Sequence, residues 1–272
     1  MTTSAALSYL VRSAQPPRSY AHEPPPGEPW ESGRFDDRVV PIADARRRAG
    51  TTSVHREGFA LWDAPTAVAD FSDHEAVTTT YYAECAELAR AATGAARACV
   101  FDHLLRRRAD GGAPLDFGRS RAGRAGANGR IHNDYTEASG RRRLALVLPD
   151  EGERSRVRRY GIVNIWRPLR GPVLDTPLAL CDARSVSADD LVVGTVLYPG
   201  RTGEIYFATH SPAHRWSYFP AMERHEALVF KQFDSASEVA RFTPHAAFDH
   251  PQAPAGAPPR ESIELRCLVV YD

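Results

Sequence analysis

From Gly129 to the C-terminus, the apolar residues fall into short runs rich in Val, Ile, Tyr, Phe and Trp, at 131–136, 160–166, 177–181, 191–198, 203–209, 216–219, 227–233 and 263–271. Gly, Pro, Asp or Ser bounds each run, so each reads as a strand ended by a turn. Eight such runs, with little room for helix between them, constrain the fold more than any other feature. Strands this short bury their apolar faces only against a second sheet or by closing on themselves. The reading is a mainly β chain with flanking helices, a sandwich or jelly roll.

The first half adds strands near 39–42, 58–62 and 98–105 and one helix over 76–92. Ser72 or Asp73 can cap that helix, Gly94 can stop it, and Tyr81, Cys85, Leu88 and Ala92 recur at helical spacing. A short charged helix is expected within 150–159. Residues 1–35, with Pro24, Pro25 and Pro26 and the isolated aromatics Tyr20 and Trp30, are expected as an extended N-terminal arm. Residues 36–272 then form a single domain. Within it, 106–130 repeats Gly, Ala and Arg and is expected as a mobile loop; a loop that long is more often functional than accidental.

The chain carries 34 basic and 34 acidic residues; only Lys231 is a lysine, which leaves 33 arginines. A zero sum argues against a nucleic-acid binder or a membrane-surface protein, so any electrostatic function is local. Residues 106–159 hold 14 arginines against seven acids. Such a segment suits a carboxylate-bearing or carrier-bound substrate; the plain alternative is a solvated, arginine-biased loop. No stacking motif accompanies it, so nucleic acid is not expected. Four dispersed cysteines without a CxxC pair read as reduced thiols, and no run approaches a membrane span. The default is a soluble, cytoplasmic protein.

The segment Ile131-His132-Asn133-Asp134 puts an imidazole and a carboxylate two residues apart, hence on one face of a strand. Far downstream stand His245 and then Arg260-Glu261-Ser262. That order, His-x-Asp, distant His, Arg-x-Ser, is what a 2-His-1-carboxylate iron site with a dicarboxylate cosubstrate needs. Two imidazoles and one carboxylate leave positions open for a 2-oxo acid and O₂. Arg260 can hold the remote carboxylate of 2-oxoglutarate as a two-point ion pair, with the Ser262 hydroxyl beside it.

Alternatives stay open at several positions. His225 and His250 compete with His245 as the distal ligand, and Arg266, six residues beyond Arg260, competes for the cosubstrate. His210 and His214 read as turn residues because Ser211-Pro212 breaks any helix that would align them. Arg167 is expected either to grip a substrate or cosubstrate carboxylate or to stack on Trp166. Asn164, Trp166, Tyr218 and Met222 are expected to line a substrate pocket in part, and Lys231 and Asp234 to make structural contacts.

The segments His132-Asn133-Asp134, Asn164-Ile165-Trp166-Arg167-Pro168-Leu169, Trp216-Ser217-Tyr218-Phe219-Pro220, Phe230-Lys231-Gln232-Phe233-Asp234, Pro244-His245-Ala246-Ala247-Phe248 and Arg260-Glu261-Ser262-Ile263 resemble the AsaB/CmcJ-like hydroxylase/desaturase family. The resemblance spans roughly residues 36–272. It implies a double-stranded β-helix of the cupin-like type, with Fe(II), 2-oxoglutarate and O₂ as cofactor and cosubstrates. It also implies oxidation of a small natural-product or amino-acid-like substrate. By matching positions, His132, Asp134 and His245 hold the iron and Arg260 the 2-oxoglutarate. A methyltransferase or other pathway enzyme is an implied partner; a homodimer is the base-rate expectation. The rivals are a cupin-like metal enzyme without a 2-oxo acid and a non-catalytic substrate-binding partner of a tailoring enzyme.

Overall fold

Strand alternation builds the computed structural model, which describes residues 2–109, 112–119 and 125–271. Its strands are β1 (Thr2–Leu10), β2 (Arg18–Tyr20), β3 (Phe35–Asp44), β4 (Phe59–Asp63), β5 (Arg97–Arg107), β6 (Ala125–Gly126), β7 (His132–Asn133), β8 (Tyr160–Pro168), β9 (Leu178–Cys181), β10 (Leu191–Tyr198), β11 (Arg201–Ala208), β12 (Trp216–Tyr218), β13 (Glu226–Asp234), β14 (His245–Ala247) and β15 (Glu261–Val270). One sheet runs β1-β3-β12-β9-β14-β7-β11-β10-β2; the other runs β4-β13-β8-β15-β5-β6. Together they form a double-stranded β-helix, the jelly roll that the strand pattern and the family resemblance imply.

In β8 and β13 both faces are buried, so neighbouring residues serve different layers. Trp166, Leu228 and Phe230 meet Leu178, Leu180 and Phe219 between the sheets. Val163, Ile165 and Val229 face the other way, onto a helical layer. That layer begins with α1 (His74–Ala76), whose first turn is capped by the Asp73 carboxylate accepting from the Ala76 N–H. It continues through a π-helical turn, Val77–Tyr81, into α2 (Tyr82–Thr93), closed by left-handed Gly94 at φ 69°. Val77, Tyr81, Cys85 and Ala89 bury its apolar face against the smaller sheet.

The segment expected as an extended N-terminal arm contributes strands to the larger sheet at two places. Residues 2–10 pair with β3 along nine positions, Thr2 with Ala43 through Leu10 with Phe35. Arg18–Tyr20 pairs in parallel with β10 at the opposite edge. The Ile131 N–H donates to the Ser8 carbonyl, so β1 also reaches the chain just before β7, and Leu7, Tyr9, Ile42, Trp216 and Phe248 pack inside this curl. The period-two signal Ala5, Leu7, Tyr9 is diluted by Ser and Thr, and the prolines begin only after the strand has ended.

In the expected mobile loop, residues 110–111 and 120–124 lie outside the described residues. The described remainder is anchored. Ala125 and Gly126 pair with β5, and Phe117 packs on His132 and Phe207, with ring centroids 6.1 and 5.6 Å away. Beyond β7 comes α3 (Glu137–Val147), started by a reciprocal cap between Thr136 and Ser139, and then α4 (Glu151–Arg154) within the expected charged segment. Gly140 lets α3 lie against the smaller sheet, since a Cβ there would stand 2.6 Å from the buried Phe233 ring. Gly140→Val should therefore cost about 1–3 kcal/mol through overpacking. A lowered urea midpoint with an unchanged m-value checks this; an unshifted midpoint contradicts it.

All four cysteines are free, and Lys231 is fully buried in an ion pair with Asp234 at 2.5 Å. Among the described residues, no helix is long and apolar enough to cross a membrane.

Candidate metal centre

His132 on β7 and His245 on β14 stand directly opposite each other in the sheet, with ring centroids 4.3 Å apart. Asp134 follows two residues after His132. One ligand atom from each of the three lies within 4.8 Å of the others. The carbonyls of Arg130 and Thr243 stand 2.8 and 3.1 Å from Nδ1 of His132 and His245. A carbonyl only accepts, so each Nδ1 carries the proton and each Nε2 keeps its lone pair. His245 Nε2 is buried without a hydrogen-bond partner.

Asp134 is divided in the same way. Its Oδ2 accepts from Arg266 Nε at 2.8 Å and from Asn164 Nδ2 at 2.9 Å. Its Oδ1 lies 3.5 Å from His132 Nε2. Burial works to raise the Asp134 pKa, but Arg266 foremost, then His132 and His245, hold it well below the ordinary carboxylate range. Burial and the neighbouring His132 push His245 down to about 3, so it is neutral at physiological pH. The unpartnered His245 Nε2, the His132 Nε2 with only Asn128 Nδ2 at 3.4 Å and the Asp134 Oδ1, on two buried histidines and a partly buried aspartate, suit an Fe(II)-type divalent cation with open positions.

A second amide fixes the ligand spacing. Asn133 points away from His132 and Asp134; it donates to the carbonyls of Tyr135 and Gln232 and accepts from the Thr243 N–H. It thus ties β7 to the residue two before His245. Gln232 Oε1 accepts from the Asp134 N–H at 2.7 Å. Neither residue stood out in the sequence, because a positioning amide has no spacing of its own to recognise.

Along β15, Ser262, Glu264 and Arg266 pair with Pro168, Trp166 and Asn164, so alternation sends them to one face. The structure separates the two competing arginines. Arg266 is bound to Asp134, Asp102 and Glu264. Arg260 is buried, lies over the Trp166 ring at 5.6 Å and donates to the Thr176 carbonyl at 2.9 Å. Among the described residues no carboxylate pairs with it. Its Nε and the Ser262 Oγ are buried without partners. Burial, then Arg106, push Arg260 down to about 10.

Four expected site residues lie elsewhere or act differently. Arg167 faces the helical layer and donates to Tyr81 Oη and to the carbonyls of Arg224 and Ala64, so it neither grips a ligand at the centre nor stacks on Trp166. One step of alternation along β8 is the reason. Tyr218 lies on the far face of the larger sheet, packed on Phe248 with its hydroxyl 3.0 Å from His250 Nε2. Trp166 is buried under Arg260, and Asn164 serves Asp134, so neither lines the cavity described next. Of the other histidines, His214 links Tyr9 to Asp190 as part of the framework.

A cavity of about 1330 Å³ opens onto His132, Asp134 and Arg266, with Leu104, Leu105, Phe117 and Val196 among its walls. It exceeds the usual range for a small-molecule site, roughly 300–1,000 Å³.

Residues 7–270 match the family described as an oxidoreductase/YMDC permease-like domain. The hydroxylase/desaturase efuI of Hormonema carpetanum is 31% identical over 264 residues, covering 88% of this chain and 85% of the relative. The Fe(II)/2-oxoglutarate-dependent dioxygenase nvfI of Aspergillus novofumigatus is 30% identical over 258 residues, covering 92% and 89%. The chain belongs to this hydroxylase/desaturase family. A solved structure of the iron and alpha-ketoglutarate-dependent endoperoxidase NvfI superposes with a TM-score of 0.84 at 25% identity, over 99% of this chain and 98% of that one. The resemblance read from the motifs and the jelly-roll fold it implied are both borne out.

Arg266 and Asn164 both hydrogen-bond the far oxygen of Asp134, the candidate carboxylate ligand. Removing such a partner typically costs about 10–100-fold in metal affinity. Arg266→Met should weaken Fe(II) binding by that factor, read by anaerobic titration; Asn164→Ala should do so to a smaller extent. Unchanged affinity in both would mean Asp134 is oriented by its strand alone.

Proposed function

We infer that this chain is an Fe(II)- and 2-oxoglutarate-dependent oxygenase. It oxidises a C–H bond of a small natural-product substrate, by hydroxylation, desaturation or oxidative cyclisation. The observation that carries this reading is the conjunction of one metal-ligand triad with one buried arginine lacking a counter-ion. When bound, the iron supplies, with 2-oxoglutarate and O₂, the oxidising power that removes hydrogen from carbon.

The chain's own residues do the rest. His132, Asp134 and His245 would hold the metal, their donor atoms set by the Arg130 and Thr243 carbonyls and by Arg266 and Asn164. Arg260 would take the remote carboxylate of 2-oxoglutarate through its unpartnered Nε side, with the Ser262 hydroxyl adding a neutral hydrogen bond. Trp166 keeps the guanidinium planar face covered and water away. A buried cation without an anion is costly, so this cradle is built for a ligand that brings one.

A metal-dependent cupin enzyme that uses no 2-oxo acid leaves Arg260 and Ser262 unexplained. Succinate formation distinguishes the two: with Fe(II), O₂ and 2-oxoglutarate, the protein should release succinate, and metal chelation should stop it. No succinate from iron-loaded protein, even with a cognate substrate, would favour the cupin reading.

A further inference from the structure

We propose that Arg143, on α3, is the anchor for a carboxylate on the substrate, and that the substrate is a bulky apolar acid; this deepens the oxygenase reading and rests on it. Arg143 lines the cavity that opens onto Asp134. It is held over the rings of Phe101 and Tyr135, with its central carbon 4.6 and 5.9 Å from their centroids. Tyr135 directly follows the metal ligand Asp134, so the clamp is built on the same segment as the metal centre. Its Nε is buried without a hydrogen-bond partner, and among the described residues no acid pairs with it.

The other cavity arginines are mostly occupied. Arg266 is held by three acids, Arg107 and Arg170 each pair with Glu261 at 3.6 Å, and Arg142 pairs with Glu204 at 3.7 Å. Arg224 donates to the carbonyls of Val68 and Ala69, and Arg106 to that of Gly126. Arg201 is exposed at the turn between β10 and β11, stacked on Tyr198. Among the described residues that line the cavity, only Arg143 joins stacking on two rings and a buried unsatisfied N–H with the lack of an acid partner.

Stacking on two rings leaves the edge of the guanidinium for hydrogen bonding, and that edge matches a carboxylate as a two-point pair. Three residues further along α3, Leu146 also lines the cavity and is 69% exposed. An apolar body lying along Leu146, Leu104 and Leu105 with its acid group on Arg143 would cover that surface. The cavity volume accommodates a molecule larger than a single amino acid. Arg260 is a separate cation: it is buried over the Trp166 ring, does not line this cavity, and takes 2-oxoglutarate in the oxygenase reading.

The test uses the full-length, iron-loaded protein with 2-oxoglutarate under anaerobic conditions. Calorimetric titrations compare two probe pairs, dodecanoic acid against methyl dodecanoate and abietic acid against methyl abietate. The wild type should bind at least one acid about tenfold or more tightly than its ester, as a charge-assisted pair predicts. Arg143→Gln should erase that preference, and Arg143→Lys, a fold-preserving second variant, should keep part of it. Equal binding of acid and ester by the wild type, binding of neither, or an undiminished preference in Arg143→Gln overturns the proposal. The 2-oxoglutarate charge-transfer band is recorded in the same samples: its absence from the wild type counts against the oxygenase reading alone, while its selective loss in Arg143→Gln would move Arg143 to the cosubstrate and overturn the proposal.

Discussion

Asp134→Ala is expected to abolish Fe(II) binding, taking metal content after anaerobic loading and desalting from about one ion per chain to background. The effect is larger than the loss of one ligand among three. Asp134 Oδ2 also neutralises Arg266, whose Nε it accepts at 2.8 Å. Without that carboxylate, the guanidinium charge would bear directly on the position of an incoming cation. Asp134→Asn keeps the shape and removes the charge, and it should fail nearly as completely. His245→Ala should fail as well, because it deletes the buried Nε2 that has no other partner. Retention of one Fe(II) by either Asp134 variant would place the metal elsewhere.

The second large effect belongs to Arg260. Arg260→Ala should weaken 2-oxoglutarate binding by about 3–5 kcal/mol, on the order of several hundred- to several thousandfold, since it strips one partner from a buried ion pair. Iron content should not change, because Arg260 touches none of the three metal ligands; its own contacts are the Thr176 carbonyl and the Trp166 ring. Arg260→Lys should recover part of the affinity through charge alone, without the two-point geometry. A 2-oxoglutarate affinity unchanged in Arg260→Ala would move the cosubstrate to another cation in the site.

Much of the fold was legible because strands buried on alternating faces announce themselves in Val, Ile and aromatic runs. The expected strand at 191–198 coincides with Leu191–Tyr198, and the helix over 76–92 lies inside the observed His74–Thr93 stretch. What escaped notice had a weak local signal. Thr2–Leu10 alternates Ala5, Leu7 and Tyr9 among Ser and Thr, and its hydrogen bonds come from β3 and the chain before β7, beyond any local window. Helix α3 carries Gly140 and three consecutive arginines, so packing on Phe233 and the Thr136 cap, rather than periodicity, explain it. The three-residue β14 is too short to show a period at all.

In the site, the residues that would touch metal were legible because a ligand set is defined by residue type and order. Roles that depend on which way a side chain points were not. Arg167 and Trp166 are adjacent and serve opposite faces of one strand, so a sequence motif containing both assigns neither. Arg260 and Arg266 share a face, and only the acids Asp102, Asp134 and Glu264 around the second tell them apart.

The central claim is that one chain brings together an iron-binding triad and a 2-oxo acid cradle. An anaerobic visible spectrum tests it most directly. Adding Fe(II) and then 2-oxoglutarate to the wild-type protein should produce a metal-to-ligand charge-transfer band that saturates near one equivalent of each, roughly. Asp134→Ala should show no band, and Arg260→Ala should show it only at far higher 2-oxoglutarate. No band from iron-loaded wild-type protein at saturating 2-oxoglutarate would contradict the account.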